Sequence, residues 1–144
     1  MLYLVKSFKE DKDTSGNNNP PLSEEGVQFG KNFKLRNNAI KFDKCYTSYL
    51  LKDFGSALIL VGDKLIVERT HSLDEKNKEE IINFIKSLPI DKSILIVASD
   101  EVVSIIKDSF DCVLLKWIGE IFVFLLFYII GKLYLKIEKM YWQT

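Results

Sequence analysis

The chain has 144 residues, 47% of them hydrophobic and 12% aromatic, which is enough for one compact core and too short for two domains. Lysine plus arginine and aspartate plus glutamate each number 20, so the formal net charge is zero, and no basic stripe of the kind that neutralises a phosphate backbone points to nucleic acid. Cys45 and Cys112 stand far apart in apolar surroundings without CxxC or Cys/His spacing, and read as buried free thiols in a reducing, cytoplasmic setting rather than as a disulfide or zinc site.

Residues 2–5, Leu-Tyr-Leu-Val, read as a short buried strand; the run is far shorter than a signal-peptide core, and charge follows it. Residues 9–21 are rich in Asp, Lys, Asn and Gly and end in Pro20 and Pro21, the composition of a mobile loop at the mouth of a site. Ser23 is placed to cap a helix with Glu24 and Glu25 in its first turn, and Phe29 and Phe33, one turn apart, predict its buried face. Residues 42–47 suit a second strand.

The next stretch is open on periodicity alone. Residues 57–61 and 65–67 around Gly62-Asp63 fit a β-hairpin, and residues 49–60 equally fit a helix feeding one strand. Ser72 and Glu75 have the spacing of a capping box ahead of Ile81, Ile82, Ile85 and Leu88 at helical spacing, until Pro89 stops the run. Residues 93–98 are a continuous apolar strand of the sort covered on both faces in a parallel sheet, after which Ser99 or Asp100 caps a short helix carrying Val102, Val103 and Ile106.

Residues 113–135 are strongly apolar, but Lys116, Glu120 and Lys132 interrupt them, and the unbroken run 121–130 is about half of what a membrane-spanning helix needs. Leu133, Leu135 and Ile137 alternate with Lys132, Tyr134, Lys136 and Glu138, the period of a half-buried strand. Two strands are therefore expected, residues 119–127 and 132–139, turning near Gly131, in preference to a tail anchor. Phe122, Phe124, Phe127, Tyr128, Tyr134, Tyr141 and Trp142 exceed what two edge strands hide, so either the domain's helices or a second copy of the chain is expected to cover them.

The alternation of strands and helices predicts an α/β layered fold. Leu2-Tyr3-Leu4-Val5, then Pro21-Leu22-Ser23-Glu24-Glu25-Gly26, then Phe42-Asp43-Lys44-Cys45-Tyr46-Thr47-Ser48 and finally residues 93–98 resemble, in order and spacing, the motifs of the histidine phosphatase (phosphoglycerate mutase-like) superfamily, especially its compact members. The resemblance spans roughly residues 1–108. It implies a single domain over residues 1–144 with a three-layer α/β/α fold, a mainly parallel central sheet and the C-terminal strands at its edge. It also makes residues 49–60 a helix, and it implies no cofactor and no metal.

The family's chemistry is missing residue by residue. Its Arg-His-Gly stands here as Lys6-Ser7-Phe8, its second arginine as Lys52, and its second histidine as Ser99. In the family the first histidine attacks phosphorus, and the second histidine and the arginines bind the equatorial oxygens. A serine hydroxyl does neither without an adjacent base, and loss of a nucleophile within a catalytic unit costs on the order of a millionfold in turnover. The sole imidazole, His71, lies in none of the matching motifs and reads as a surface residue flanking a helix.

Ser7, Ser99 and Glu68 are accordingly vestigial catalytic positions; Glu68 is similar to the acid glutamate of mutase-like members, or else one partner of a surface ion pair. Lys6 and Lys52 keep positive charge and are the anion-binding candidates, as point charges without the guanidinium fork, or else plain solvated residues. Phe8 adds bulk where a glycine lets backbone approach phosphate, filling the pocket unless its ring points into the core or out along the loop, and Asp100 adds negative charge, so both are expected to alter the pocket. The resemblance thus implies a pseudoenzyme: a binding or regulatory module for a small phosphorylated ligand or a protein. Two alternatives stand beside it. One is a phosphomonoesterase with Ser7 as nucleophile, Lys6 and Lys52 as clamps and Glu68 as proton donor; the other is a homodimeric or membrane-associated protein using the C-terminal apolar segment.

Overall fold

The computed structural model describes residues 2–12, 16, 18–74, 77–89, 91–109, 111–113, 121–129 and 132–138, the last three segments by their backbone. In chain order the elements are β1 (Leu2–Lys6), α1 (Glu24–Arg36), β2 (Lys44–Thr47), α2 (Leu51–Val61), β3 (Val67–Arg69), a 3-10 turn (His71–Leu73), α3 (Lys78–Ser87), β4 (Ile94–Ala98), α4 (Asp100–Ser109), β5 (Asp111–Val113), β6 (Ile121–Ile129) and β7 (Lys132–Glu138). The strands form one sheet in the order β3-β2-β4-β1-β6-β7-β5. The pairs β1–β4, β4–β2, β2–β3 and β5–β7 are parallel, while β6 runs antiparallel to both β1 and β7.

Every side chain of β4 is buried, and the period of two explains how. Ile94, Ile96 and Ala98 join Leu2 and Leu4 under α3 and α4, against Ile81, Ile85, Val102 and Ile106. Leu95 and Val97 join Val5 on the other face, against Phe33, Ala57 and Val61 of α1 and α2. With helices on both faces, the central strands have no solvent side and read as unbroken apolar runs. The sheet is mainly parallel, as expected for the α/β class.

Local chemistry sets the helix ends. Ser23 Oγ accepts the Gly26 N–H at 3.0 Å and so caps α1 as expected. Of its two phenylalanines only Phe33 is deeply buried, at 4% exposure, whereas Phe29 is 41% exposed. The stretch left open by periodicity is the helix α2: Asn19 Oδ1 accepts the Leu51 N–H at 2.9 Å at its start. Its end is closed by Gly62, whose φ of 58° a side chain would strain and whose N–H donates to Leu58 at 2.8 Å.

The expected capping box does not open α3. Asn77 is the cap, its Oδ1 accepting the Glu80 N–H at 3.2 Å. Ser72 lies instead inside the 3-10 turn, where its N–H donates to Thr70 Oγ1 and the neighbouring Leu73 is fully buried. Anchoring Leu73 in the core ends one local structure before the next begins.

Strands β6 and β7 form the expected hairpin, and β6 docks directly on β1, in register Tyr3 with Val123. The outermost strand, β5, has no clear signal in the sequence. The tail's aromatic side chains, Gly131, Glu75 and the side chain of Cys112 lie outside the described residues. The loop over residues 9–21 is tied at both ends by a bridge between Glu10 and Leu22 and by Asp11 N–H donating to Pro21 at 2.8 Å; its residues 13–15 and 17 lie outside the description. Among the described residues, no helix is long and apolar enough to cross a membrane.

Two outcomes are expected. A Cβ at Gly30 would lie 2.6 Å from the Phe8 ring. Gly30→Ala, which in an open helix gains about 1 kcal/mol, is here expected to destabilise by about 1–3 kcal/mol in urea unfolding, with Phe8→Leu relieving part of that loss. Burial also pushes the Cys45 thiol up from 9.0 to about 12. Between those values the unfolded chain ionises Cys45 and the folded one does not, so its contribution holds below pH 9 and is lost as pH rises towards about 12. Cys45→Ala removes that part of the alkaline slope.

Candidate functional site

Each of the four parallel strands that precede α4 runs directly into a hydroxyl residue. Ser7 follows β1, Ser48 follows β2, Thr70 follows β3 and Ser99 follows β4. These residues lie along the carboxyl edge of the sheet, where open α/β folds bind ligands, and they flank the point at which crossovers change face. The connections through α1 and α2 run over one face, and the connection through α3 returns over the other and inserts β4 between β1 and β2.

The ladder continues one step past β1, because Ser7 N–H donates to Ala98 O at 2.9 Å. That bond holds Ser7 beside the residue that succeeds Ala98, which is Ser99. Both are buried, Ser7 at 5% and Ser99 at 2% exposure, and Ser99 Oγ has no hydrogen-bond partner among the described residues. A buried hydroxyl of that kind is an unused donor, suited to an oxygen of a bound anion. Ser7 and Ser99 are therefore brought together.

The two lysines reach the same edge, and each is already engaged by a carboxylate. Lys6 Nζ lies 2.8 Å from Asp100 Oδ2, and Lys52 Nζ lies 3.4 Å from Glu10 Oε2. Asp100 opens α4 directly after Ser99, and Glu10 is positioned by its bridge to Leu22. The expectation that Asp100 alters the pocket takes a specific form here: it neutralises Lys6. These pairs are a quarter or more exposed at one or both members, so each is a weak, salt-sensitive contact rather than a buried lock.

Of the placements open to Phe8, the structure shows the one in the core. Its ring is 2% exposed and packs edge-on to Phe29 at 5.5 Å and tilted against Phe33 at 6.2 Å, inside the core beneath α1. Gly30 makes the room. The Phe8 N–H meanwhile donates to Ser56 Oγ at 2.9 Å, and that hydroxyl donates to Lys52 O at 2.6 Å, which ties the turn after β1 to the helix bearing Lys52. Phe8 shapes the site through its backbone and leaves it unfilled by its ring.

Glu68 stands in the middle of β3, half-exposed, with Oε1 3.6 Å from Lys44 Nζ, which is the ion-pair alternative and not an acid at the carboxyl edge. His71 is exposed, its Nδ1 2.8 Å from Asp74 Oδ2 and its ring stacked on Tyr49 at 4.2 Å. It follows β3, three strand spacings from β1, or about 14 Å of sheet at ~4.8 Å per strand. That is too far for a base acting on Ser7, which needs hydrogen-bond reach.

Two features had no signal in the residue spacing. Asp53 is fully buried and accepts from Ser48 Oγ at 2.6 Å, fixing the start of α2. The Arg69 guanidinium lies 4.0 Å over the Phe54 ring and 5.7 Å over Tyr49, so β3 closes that flank with an aromatic and cationic rim. Among the described residues, no group of His, Cys, Asp and Glu could hold a metal ion.

No family model matches the chain, and no curated protein matches its sequence. Solved structures do match. The mycobacterial glucosyl-3-phosphoglycerate phosphatase in complex with VO3 superposes with a TM-score of 0.70 over 99% of each chain at 11% identity. The protein histidine phosphatase SixA, complexed with tungstate, gives 0.68 over 93% of this chain and 92% of its own at 14% identity. The fold is that of the histidine phosphatases. A phosphoserine phosphatase of Entamoeba histolytica, in a variant with a histidine replaced by alanine and bound to phosphoserine, gives 0.64 over 93% of each chain, also at 14% identity. At such identities the likeness is one of fold, and the chemistry must come from this chain's own residues.

If Asp100 and Glu10 compete with an external anion for the lysines, Asp100→Asn combined with Glu10→Gln tightens tungstate binding by about three- to tenfold at low salt. Calorimetric titration checks this, and an unchanged affinity contradicts it.

Proposed function

We propose that this protein is a pseudoenzyme: a non-catalytic binding module on the histidine phosphatase fold whose carboxyl-edge cleft recognises a small phosphorylated ligand, free or carried on a protein. The reading is carried by one observation. Both positions at which the resemblance places imidazoles hold serines, held side by side by the β1–β4 ladder, and the chain's single histidine stands on the far flank.

Among the described residues, a serine at the site lacks an activating base. Glu68 is paired with Lys44 away from the cleft, Asp53 is taken up by Ser48, and Asp100 and Glu10 sit on the lysines. A missing nucleophile of this kind corresponds to about 8 kcal/mol of lost transition-state stabilisation. Recognition makes smaller demands. Lys6 and Lys52 supply charge, Ser7 and Ser99 supply hydroxyl donors, and the Entamoeba histolytica variant is a precedent for a phosphatase that holds phosphoserine with one histidine replaced. Since lysines lack the two-pronged grip of arginine, affinity for phosphoserine is expected in the millimolar range. The single domain works in a reducing, cytoplasmic setting, consistent with the free thiol of Cys45.

The test has two arms. The intact protein releases no phosphate from p-nitrophenyl phosphate or phosphoserine above blank, while phosphoserine perturbs the amide resonances of residues 6–7 and 99–100 in a titration. Turnover by the intact protein that Ser7→Ala abolishes supports the phosphomonoesterase alternative instead. The scaffold is also expected to be repairable: Ser7→His and Ser99→His with Lys6→Arg and Lys52→Arg gives measurable hydrolysis.

A further inference from the structure

A second pocket lies away from the carboxyl-edge cleft. A cavity of about 410 Å³ opens at the opposite end of the sheet, on the face covered by α1 and α2. Tyr3 and Leu95, partners in the β1–β4 register, form its floor, and Val5, Phe33, Phe42, Leu60, Val61 and Leu65 are among its apolar walls. Tyr3 stands four residues, about 13 Å of extended strand, from Ser7. The cavity falls within the about 300–1,000 Å³ typical of small-molecule sites.

The cavity's charge is one-sided. Lys34 from the last turn of α1, Lys41 from the α1–β2 connection and Lys64 from the turn after α2 all line it, with Asn37 and Asn38, and among the described residues no acidic side chain does. Lys41 and Lys64 are exposed, while Lys34 is half-buried and leans across to Gly62, 3.0 Å from where a Cβ would stand there. Helix C-termini attract cations, which accounts for part of this. Two such ends carry only about −0.5 charge each, however, so three lysines leave a net positive mouth over an apolar interior.

We infer that this cavity is a second binding site, distinct from the carboxyl-edge cleft, that takes an amphipathic carboxylate, its hydrocarbon part against Tyr3, Phe33, Phe42 and Leu95 and its anionic head at Lys34, Lys41 and Lys64. Apolar burial supplies the affinity, in proportion to the area removed from water. The lysines supply the sign of the headgroup, a preference that electrostatic complementarity sets more than raw affinity. A free phosphate has nothing to gain from the apolar walls and is not accepted.

Calorimetry with decanoate tests this below its micellar range. One decanoate binds per chain, decyltrimethylammonium and inorganic phosphate do not compete for the site, and Lys34→Gln with Lys41→Gln and Lys64→Gln weakens decanoate by about tenfold or more. Those exposed and half-exposed positions leave the fold intact, which thermal unfolding verifies. Leu65→Trp, filling the space from its edge, abolishes binding while leaving the phosphoserine-sensitive resonances at residues 6–7 unmoved. Absence of decanoate binding, equal binding of the cationic analogue, or an affinity indifferent to the triple lysine change each overturns the inference.

Discussion

The pairing of β1 with β4 is the constraint on which the rest of this molecule depends. Five residues of each strand are in register, from Leu2 with Ile94 to Lys6 with Ala98, and the Ser7 N–H extends the ladder by one bond. Because the strands are parallel and covered on both faces, the pairing needs helices above and below, and the sequence supplies them by alternating inward positions between two cores. Slipping β1 by one residue against β4 would send Leu4 to the face opposite Ile96 and out of their shared core. The same register positions the residues just beyond the strand ends: Ser7 next to Ser99, and Asp100 at the first turn of α4, within reach of Lys6.

The cleft that results is chemically self-contained. Lys6 and Lys52 face Asp100 and Glu10 of the same chain, so these two cations are largely offset where they stand. In a phosphoryl-transfer site the cations stay committed to the substrate's oxygens, because the transition state concentrates charge there. Here an anion must first displace partly exposed ion pairs of small individual worth, which leaves room for weak, reversible recognition and little for transition-state stabilisation. The Ser99 hydroxyl fits the same picture: it is a buried donor without a partner among the described residues.

Elements whose signal is local were legible in the sequence. The Ser23 cap, the unbroken apolar β4 and the strand β7 each follow from short-range periodicity or capping chemistry, and all three stand in the structure. Where local rules offered two solutions, tertiary packing chose. Ser72 lost its capping role to Asn77 because the intervening Leu73 is drawn into the core, and Phe8 left the pocket because Gly30, twenty-two positions on, makes a hollow for its ring. Ion pairs such as Lys6 with Asp100 and Lys52 with Glu10, and the buried Asp53, depend on contacts between distant segments that spacing does not encode. The hydroxyl at the end of every early parallel strand was present in the sequence, but its meaning required the strand order.

The most direct test of the central claim asks whether Ser7 and Ser99, where the resemblance places imidazoles, face one another. In the double variant Ser7→Cys, Ser99→Cys, adjacent in-register parallel strands bring the two Cα atoms within the roughly 4.4–6.8 Å that a disulfide spans. Mild oxidation followed by peptide mapping is predicted to recover a cross-link between positions 7 and 99, with Cys45 still a free thiol. Two reduced thiols at those positions under conditions that oxidise a model dithiol would contradict the shared cleft, and with it the reading of this chain as a phosphatase scaffold without its catalytic nitrogens.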